Sequence, residues 1–175
     1  LQEELYPISR LALRLKQPGL EVEVEALEDD GPADGRIRIS GFWEGEFDVQ
    51  VTCDYSYAES MRMELLLSEG AVPGAGEIFR DKKSGKIIAK SAAVDYDKYI
   101  ERIAKAVMDR FRKRSALAYK SNTILIIAFA EVKLRGLYNW NRLFLALKQE
   151  GGLSGSSFVA VYLFNGSTNE TQEAA

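Results

Sequence analysis

The sequence predicts a mixed α/β (α+β) domain, a five-stranded mixed sheet with helices on both faces. Three observations predict it. Three strand-like segments follow one another between residues 20 and 53 with short turns between them, the signature of an antiparallel meander. Two later apolar segments, at 123–129 and 157–164, are separated by one short helical stretch, so they run parallel through a crossover. Amphipathic helical stretches at the start, middle and end supply cover for both faces of the sheet.

Residues 3–16 place Leu5, Ile8, Leu11, Ala12 and Leu15 at helical spacing, and Pro18-Gly19 stops the helix. Pro7 fits best in a first turn, where its missing N–H costs nothing. Residues 20–27 alternate Val22, Val24 and Ala26 against Glu21, Glu23 and Glu25, as a strand does. Asp29-Asp30-Gly31-Pro32 turns the chain into a second strand at 36–42, with Ile37 and Ile39 inward. Trp43-Glu44-Gly45 turns it again into a third strand at 46–53. There Phe47, Val49, Val51 and Cys53 point one way, and Asp48, Gln50, Thr52 and Asp54 the other.

Residues 57–68 read as a helix ended by Gly70. Asp81-Lys82-Lys83-Ser84-Gly85 sits between two short apolar segments and predicts a small inserted hairpin, exposed and basic. The longest helix spans 96–119, capped by Asp95 or the preceding loop, with Tyr96, Ile100, Ile103, Val107 and Phe111 as its buried stripe. Residues 123–129 are nearly all apolar, as in a strand covered on both faces. A helix at 139–149 and a strand at 157–164 complete the order. A single domain over residues 1–164 is expected, with a polar, disordered tail over 165–175.

Composition excludes several chemistries. The chain has no histidine, which removes Ser-His-Asp and Cys-His hydrolases, HExxH zinc proteases and histidine metal sites. Its single cysteine, Cys53, rules out an internal disulfide and cysteine-rich zinc, and suits a reducing, cytoplasmic setting. No apolar run approaches the roughly 18 residues that span a bilayer, and the acidic start does not resemble a secretory signal. No phosphate-binding glycine loop stands between a strand and a helix. Any metal would be held by oxygen, so Mg²⁺ or Mn²⁺ precedes Zn²⁺.

Charge is unevenly spread. Residues 1–60 carry 14 acids and 5 bases, whereas residues 78–120 carry 13 bases and 5 acids. That asymmetry suits a site that holds a metal and grips a polyanion, and equally suits neutralisation between packed elements.

The element order αβββα(ββ)αβαβ resembles the PD-(D/E)XK, or restriction-endonuclease-like, superfamily over about residues 3–164. Pro32-x-Asp34 stands in the place of the first acid of that motif. Asp48-Val49-Gln50 stands in the place of (D/E)xK, with glutamine for lysine; a shifted alignment gives Gln50-Val51-Thr52 and no acid. The resemblance implies Asp34, Asp48 and Gln50 as catalytic residues, and Asp34, Asp48 and Glu4 (or Glu3) as ligands of Mg²⁺ or Mn²⁺. A literal Glu131-Val132-Lys133 falls after the fourth core strand, too late in the order to serve.

The function implied is nucleic-acid binding with metal-dependent phosphodiester hydrolysis, DNA ahead of RNA, with a homodimer an option because many two-strand cutters pair. Glutamine carries no charge and is a poor base. The alternative is therefore an inactive nuclease-like fold used as a structural or protein-interaction module. Lys82, Lys83, Arg102, Lys105, Arg110, Arg112, Lys113 and Arg114 are the candidate phosphate contacts. Cations at a helix C-terminus are also favoured by the helix dipole, so the last four have a purely structural explanation as well. Trp43, at a hairpin tip, is a candidate for stacking on a base. Tyr119, Tyr138 and Trp140 are expected to pack.

Overall fold

A computed structural model describes residues 2–27, 31–54, 57–72, 76–91, 95–131 and 133–175. The order is α1 (Gln2–Leu15), β1 (Leu20–Ala26), β2 (Gly35–Gly41), β3 (Gly45–Asp54), α2 (Tyr57–Glu69), β4 (Gly76–Arg80), β5 (Ile87–Ser91), α3 (Tyr96–Ser115), β6 (Thr123–Phe129), α4 (Gly136–Gln149), β7 (Ala160–Asn165) and β8 (Glu170–Glu173). The main sheet has six strands in the order β1-β2-β3-β6-β7-β8, and β4 and β5 form a separate two-stranded sheet. The mixed α+β class is thus as expected, but the five-stranded count is not.

The sixth strand comes from the polar tail expected to be disordered. β8 pairs antiparallel with β7 from Tyr162↔Glu173 to Asn165↔Glu170. Composition misled there because the segment is held mainly by backbone pairing and by anchors, with Ala174 adding a small apolar contact to the core. Glu170 accepts a hydrogen bond from the Trp140 indole at 2.9 Å, and the Val161 N–H donates to the Ala175 carbonyl at 2.6 Å.

β1, β2 and β3 form the expected antiparallel meander, and β3–β6 and β6–β7 pair parallel. β6 explains its own composition. Ile124, Ile126 and Ala128 pack with Ile8 and Leu11 of α1, while Leu125, Ile127 and Phe129 pack with α3 and α4. Period-two alternation with both faces covered leaves no position for a polar residue beyond Thr123 at the start of the strand. α3 ends at Ser115, four residues earlier than its periodicity suggests, and Asp95 caps its start by accepting from the Asp97 N–H at 2.9 Å. Pro7 lies inside α1 rather than in its first turn. Trp140 is buried and Tyr119 packs on Phe158, as expected, whereas Tyr138 is exposed. No helix among the described residues is long and apolar enough to cross a membrane.

The same alternation orients the site. Val49 and Val51 of β3 join the α1 side of the sheet. Asp48, Gln50 and Thr52 therefore point to the opposite side, where α3 packs against β3 and β6. All three are buried.

Candidate functional site

The antiparallel register of β2 and β3 builds the site. Arg36 lies directly opposite Asp48, and Arg38 opposite Glu46. One step beyond the ladder, the Asp34 N–H donates to the Val49 carbonyl at 2.9 Å, which sets Asp34 beside Gln50. Three cross-strand polar pairs thus occupy one face, each about 7 Å from the next along the strand.

Asp34 is clasped by β3. Its Oδ2 accepts from the Val51 N–H at 2.6 Å and from the Gln50 side-chain amide at 2.5 Å. Gln50 also donates to the Val51 carbonyl at 2.7 Å. Burial pushes the Asp34 carboxyl above the ordinary aspartate range; the Val51 N–H opposes this, the negative charge of Glu4 adds to it, and Arg114 and the Gln50 amide oppose it. Glu4 on α1 and Arg114 near the end of α3 are therefore both within electrostatic reach of Asp34.

Asp48 is held differently. Its Oδ1 accepts from Arg36 Nε at 3.0 Å, and its Oδ2 accepts from Lys120 Nζ at 2.6 Å. Lys120 lies just ahead of β6, and the parallel register Asp48↔Thr123 brings it to this carboxylate. Burial acts to raise the Asp48 carboxyl, but the hydrogen bonds and charges of Lys120 and Arg36 outweigh it and hold the group below the usual carboxylate range. Arg36 lies 3.5 Å from Glu46, and Arg38 joins Glu46 to Glu25 of β1.

Asp34 and Gln50 are thus in contact, with Asp48 two residues along the same face and Glu4 near Asp34. Each Asp48 oxygen is engaged by a tethered cation, and among the described residues no group of three potential ligands gathers around one point. Sequence reasoning missed Arg36 and Lys120, the two residues that decide the state of Asp48.

The basic candidates do not form one group. Arg114 approaches Asp34 near the start of β6, whereas Arg102 donates to Glu131 at 2.7 Å, past the end of β6. The two lie about 18 Å apart along α3. Arg112 donates to the Glu150 carbonyl at 2.7 Å. Lys105 and Lys113 are exposed, and Arg110 is half-buried. Lys82 and Lys83 are exposed on the turn between β4 and β5, which Asp81 ties together through Ser84. Glu131 accepts from Tyr99 and Arg102, so it serves the far end of the sheet. Trp43 is partly exposed and rests against Phe47, and half-buried Cys53 packs on the α1 side.

Compared with known proteins, the chain matches no family model, no curated protein and no solved structure.

Proposed function

We propose that the chain is a restriction-endonuclease-like domain that binds nucleic acid, DNA ahead of RNA, and keeps its own carboxylates in internal contacts. One observation carries the reading: Asp48 is buried between two cations, Arg36 and Lys120, that each take one of its oxygens. A carboxylate so neutralised is a poor ligand for a metal, which would have to displace both partners. Support for the family comes from the element order, from Asp34 at the head of β2, and from its contact with Gln50. Support for a polyanionic partner comes from Arg114 and Lys120, cations from separate elements beside the two acids.

A second reading, Mg²⁺- or Mn²⁺-dependent phosphodiester hydrolysis, is favoured by a different observation. Glu4 adds its negative charge to the environment of the partly buried Asp34, and a divalent ion would relieve that repulsion.

The test is fluorescence anisotropy of labelled DNA and RNA oligonucleotides with the purified chain, over a range of salt, beside an incubation with Mg²⁺ or Mn²⁺. Salt-sensitive binding that persists in chelator, without cleavage, is expected. No binding at low salt rejects the nucleic-acid reading. Metal-dependent cleavage that Asp34→Ala abolishes replaces it with the hydrolase.

A further inference from the structure

Lys120 is the more exposed of the two cations on Asp48, and the role assigned to it rests on the nucleic-acid reading above. We infer that Lys120 is a pre-positioned phosphate ligand, that Asp48 is the residue that positions it, and that the pair binds a phosphodiester oxygen without a metal ion.

A lysine ammonium carries three N–H donors. Asp48 takes one of them, at 2.6 Å, and no other acceptor for Lys120 appears among the described residues. The Lys120 side chain is 66% exposed, while that of Asp48 is 5% exposed. The anion is therefore fixed in the protein and the cation projects from it into water. Lys120 can add a phosphate oxygen to its remaining donors without leaving Asp48.

Rigidity supports the assignment. A free surface lysine loses rotamer entropy when it is immobilised. Here Asp48 has already restricted it. Asp48 is itself fixed within β3 and by Arg36 from the opposite side at 3.0 Å. Asn122, two residues after Lys120, donates to the Glu46 carbonyl at 3.1 Å and anchors the segment to the β2–β3 hairpin. Lys148 on α4, also exposed, shows no comparable tether among the described residues.

The experiment compares wild type with Lys120→Gln, Lys120→Arg and Lys148→Gln of the full chain, binding a labelled DNA oligonucleotide in chelator at several salt concentrations. Lys120→Gln is expected to weaken binding by about fivefold or more and to lower the salt slope by about one counterion. Lys120→Arg keeps most of the affinity, and Lys148→Gln changes nothing. Inorganic phosphate should shift the NMR signal of the Asp48 carboxyl in wild type and not in Lys120→Gln. If wild type binds and Lys120→Gln binds equally well with the same slope, or if chelator abolishes binding, the Lys120 assignment falls while the nucleic-acid reading stands. If wild type binds no oligonucleotide either in chelator or in added Mg²⁺, both fall.

Discussion

Gln50 donates its side-chain amide to the Asp34 carboxylate at 2.5 Å, across the register that joins the head of β2 to the middle of β3. The contact defines what a glutamine does in this place. It supplies a donor to a partly buried acid and takes no share of its charge. Asp34 is thereby satisfied in hydrogen bonding at Oδ2 but not neutralised, and its carboxyl is pushed up by burial and by Glu4. Asp48, two residues along β3, has the opposite character, neutralised from two sides. Two acids on one face have been given opposite electrostatic environments, and their pH responses should differ in sign.

For Asp34, the folded-state pKa lies above the unfolded value of about 3.9. Folding therefore takes up a proton between the two values, and the stability contributed by this group is present below about pH 4 and lost as pH rises through the folded pKa. Asp34→Asn removes the charge and keeps an oxygen for Val51 and Gln50. The variant should match or exceed wild-type stability at pH 7, by up to about 1 kcal/mol, with a flatter profile above pH 4. Urea denaturation at a series of pH values measures it. A variant that loses stability only at neutral pH would show that the fold favours the ionised form of Asp34.

For Asp48, the folded-state pKa lies below the unfolded value. Its contribution is present above about pH 4 and lost as pH falls through the folded pKa, so it belongs to the acid limb of the stability curve. Asp48→Asn should cost about 1–3 kcal/mol at pH 7 and flatten that limb. Most of the cost arises on the Arg36 side, because the Lys120 side chain is largely exposed and returns to water at little expense, whereas that of Arg36 is 23% exposed. A double-mutant cycle of Asp48→Asn with Arg36→Gln should accordingly show stronger coupling than one with Lys120→Gln.

The helices, the meander and the apolar β6 were legible because each follows from periodicity, and periodicity is local. Register was not. A three-residue turn at Trp43–Gly45 would set Arg36 opposite Thr52, but pairing closes at Ile39↔Gly45 around a five-residue loop. That shift places Arg36 opposite Asp48 and lets Asp34 meet Gln50. Gly41, beside that loop, has a φ of 131° and its Cβ position lies 2.1 Å from the Gly19 carbonyl oxygen, where only glycine fits, but that contact lies toward β1 and does not set the β2–β3 register. Lys120 gave no signal either. It lies 72 residues from Asp48 in the chain, and only the parallel β3–β6 pairing unites them. The sixth strand was hidden for a related reason: its anchors are Glu170 to Trp140 and terminal backbone bonds, neither of which has a sequence pattern.

Asn165 shows how much one polar residue can hold when its partners are backbone. It is fully buried at the end of β7, and its sequence context, Asn165-Gly166-Ser167, also matches a glycosylation acceptor. Its Oδ1 accepts from the Glu131 N–H at 2.9 Å and from the Ser167 N–H at 3.2 Å. Its Nδ2 donates to the carbonyls of Glu131 at 2.8 Å and Leu134 at 3.0 Å. These bonds tie the segment after β6 to the turn that leads into β8, so one side chain joins two connections. Asn165→Ala leaves several buried backbone groups without partners and should cost about 2–4 kcal/mol. Asn165→Asp keeps the acceptor but turns a carboxylate oxygen toward two carbonyls, so it should be destabilised as well, and more at pH 7 than at pH 4. Thermal denaturation of both variants at the two pH values measures this. Equal stability of Asn165→Ala and wild type would mean that the segment after β6 is held by the bonds of Glu131 to Tyr99 and Arg102 and by the burial of Leu134.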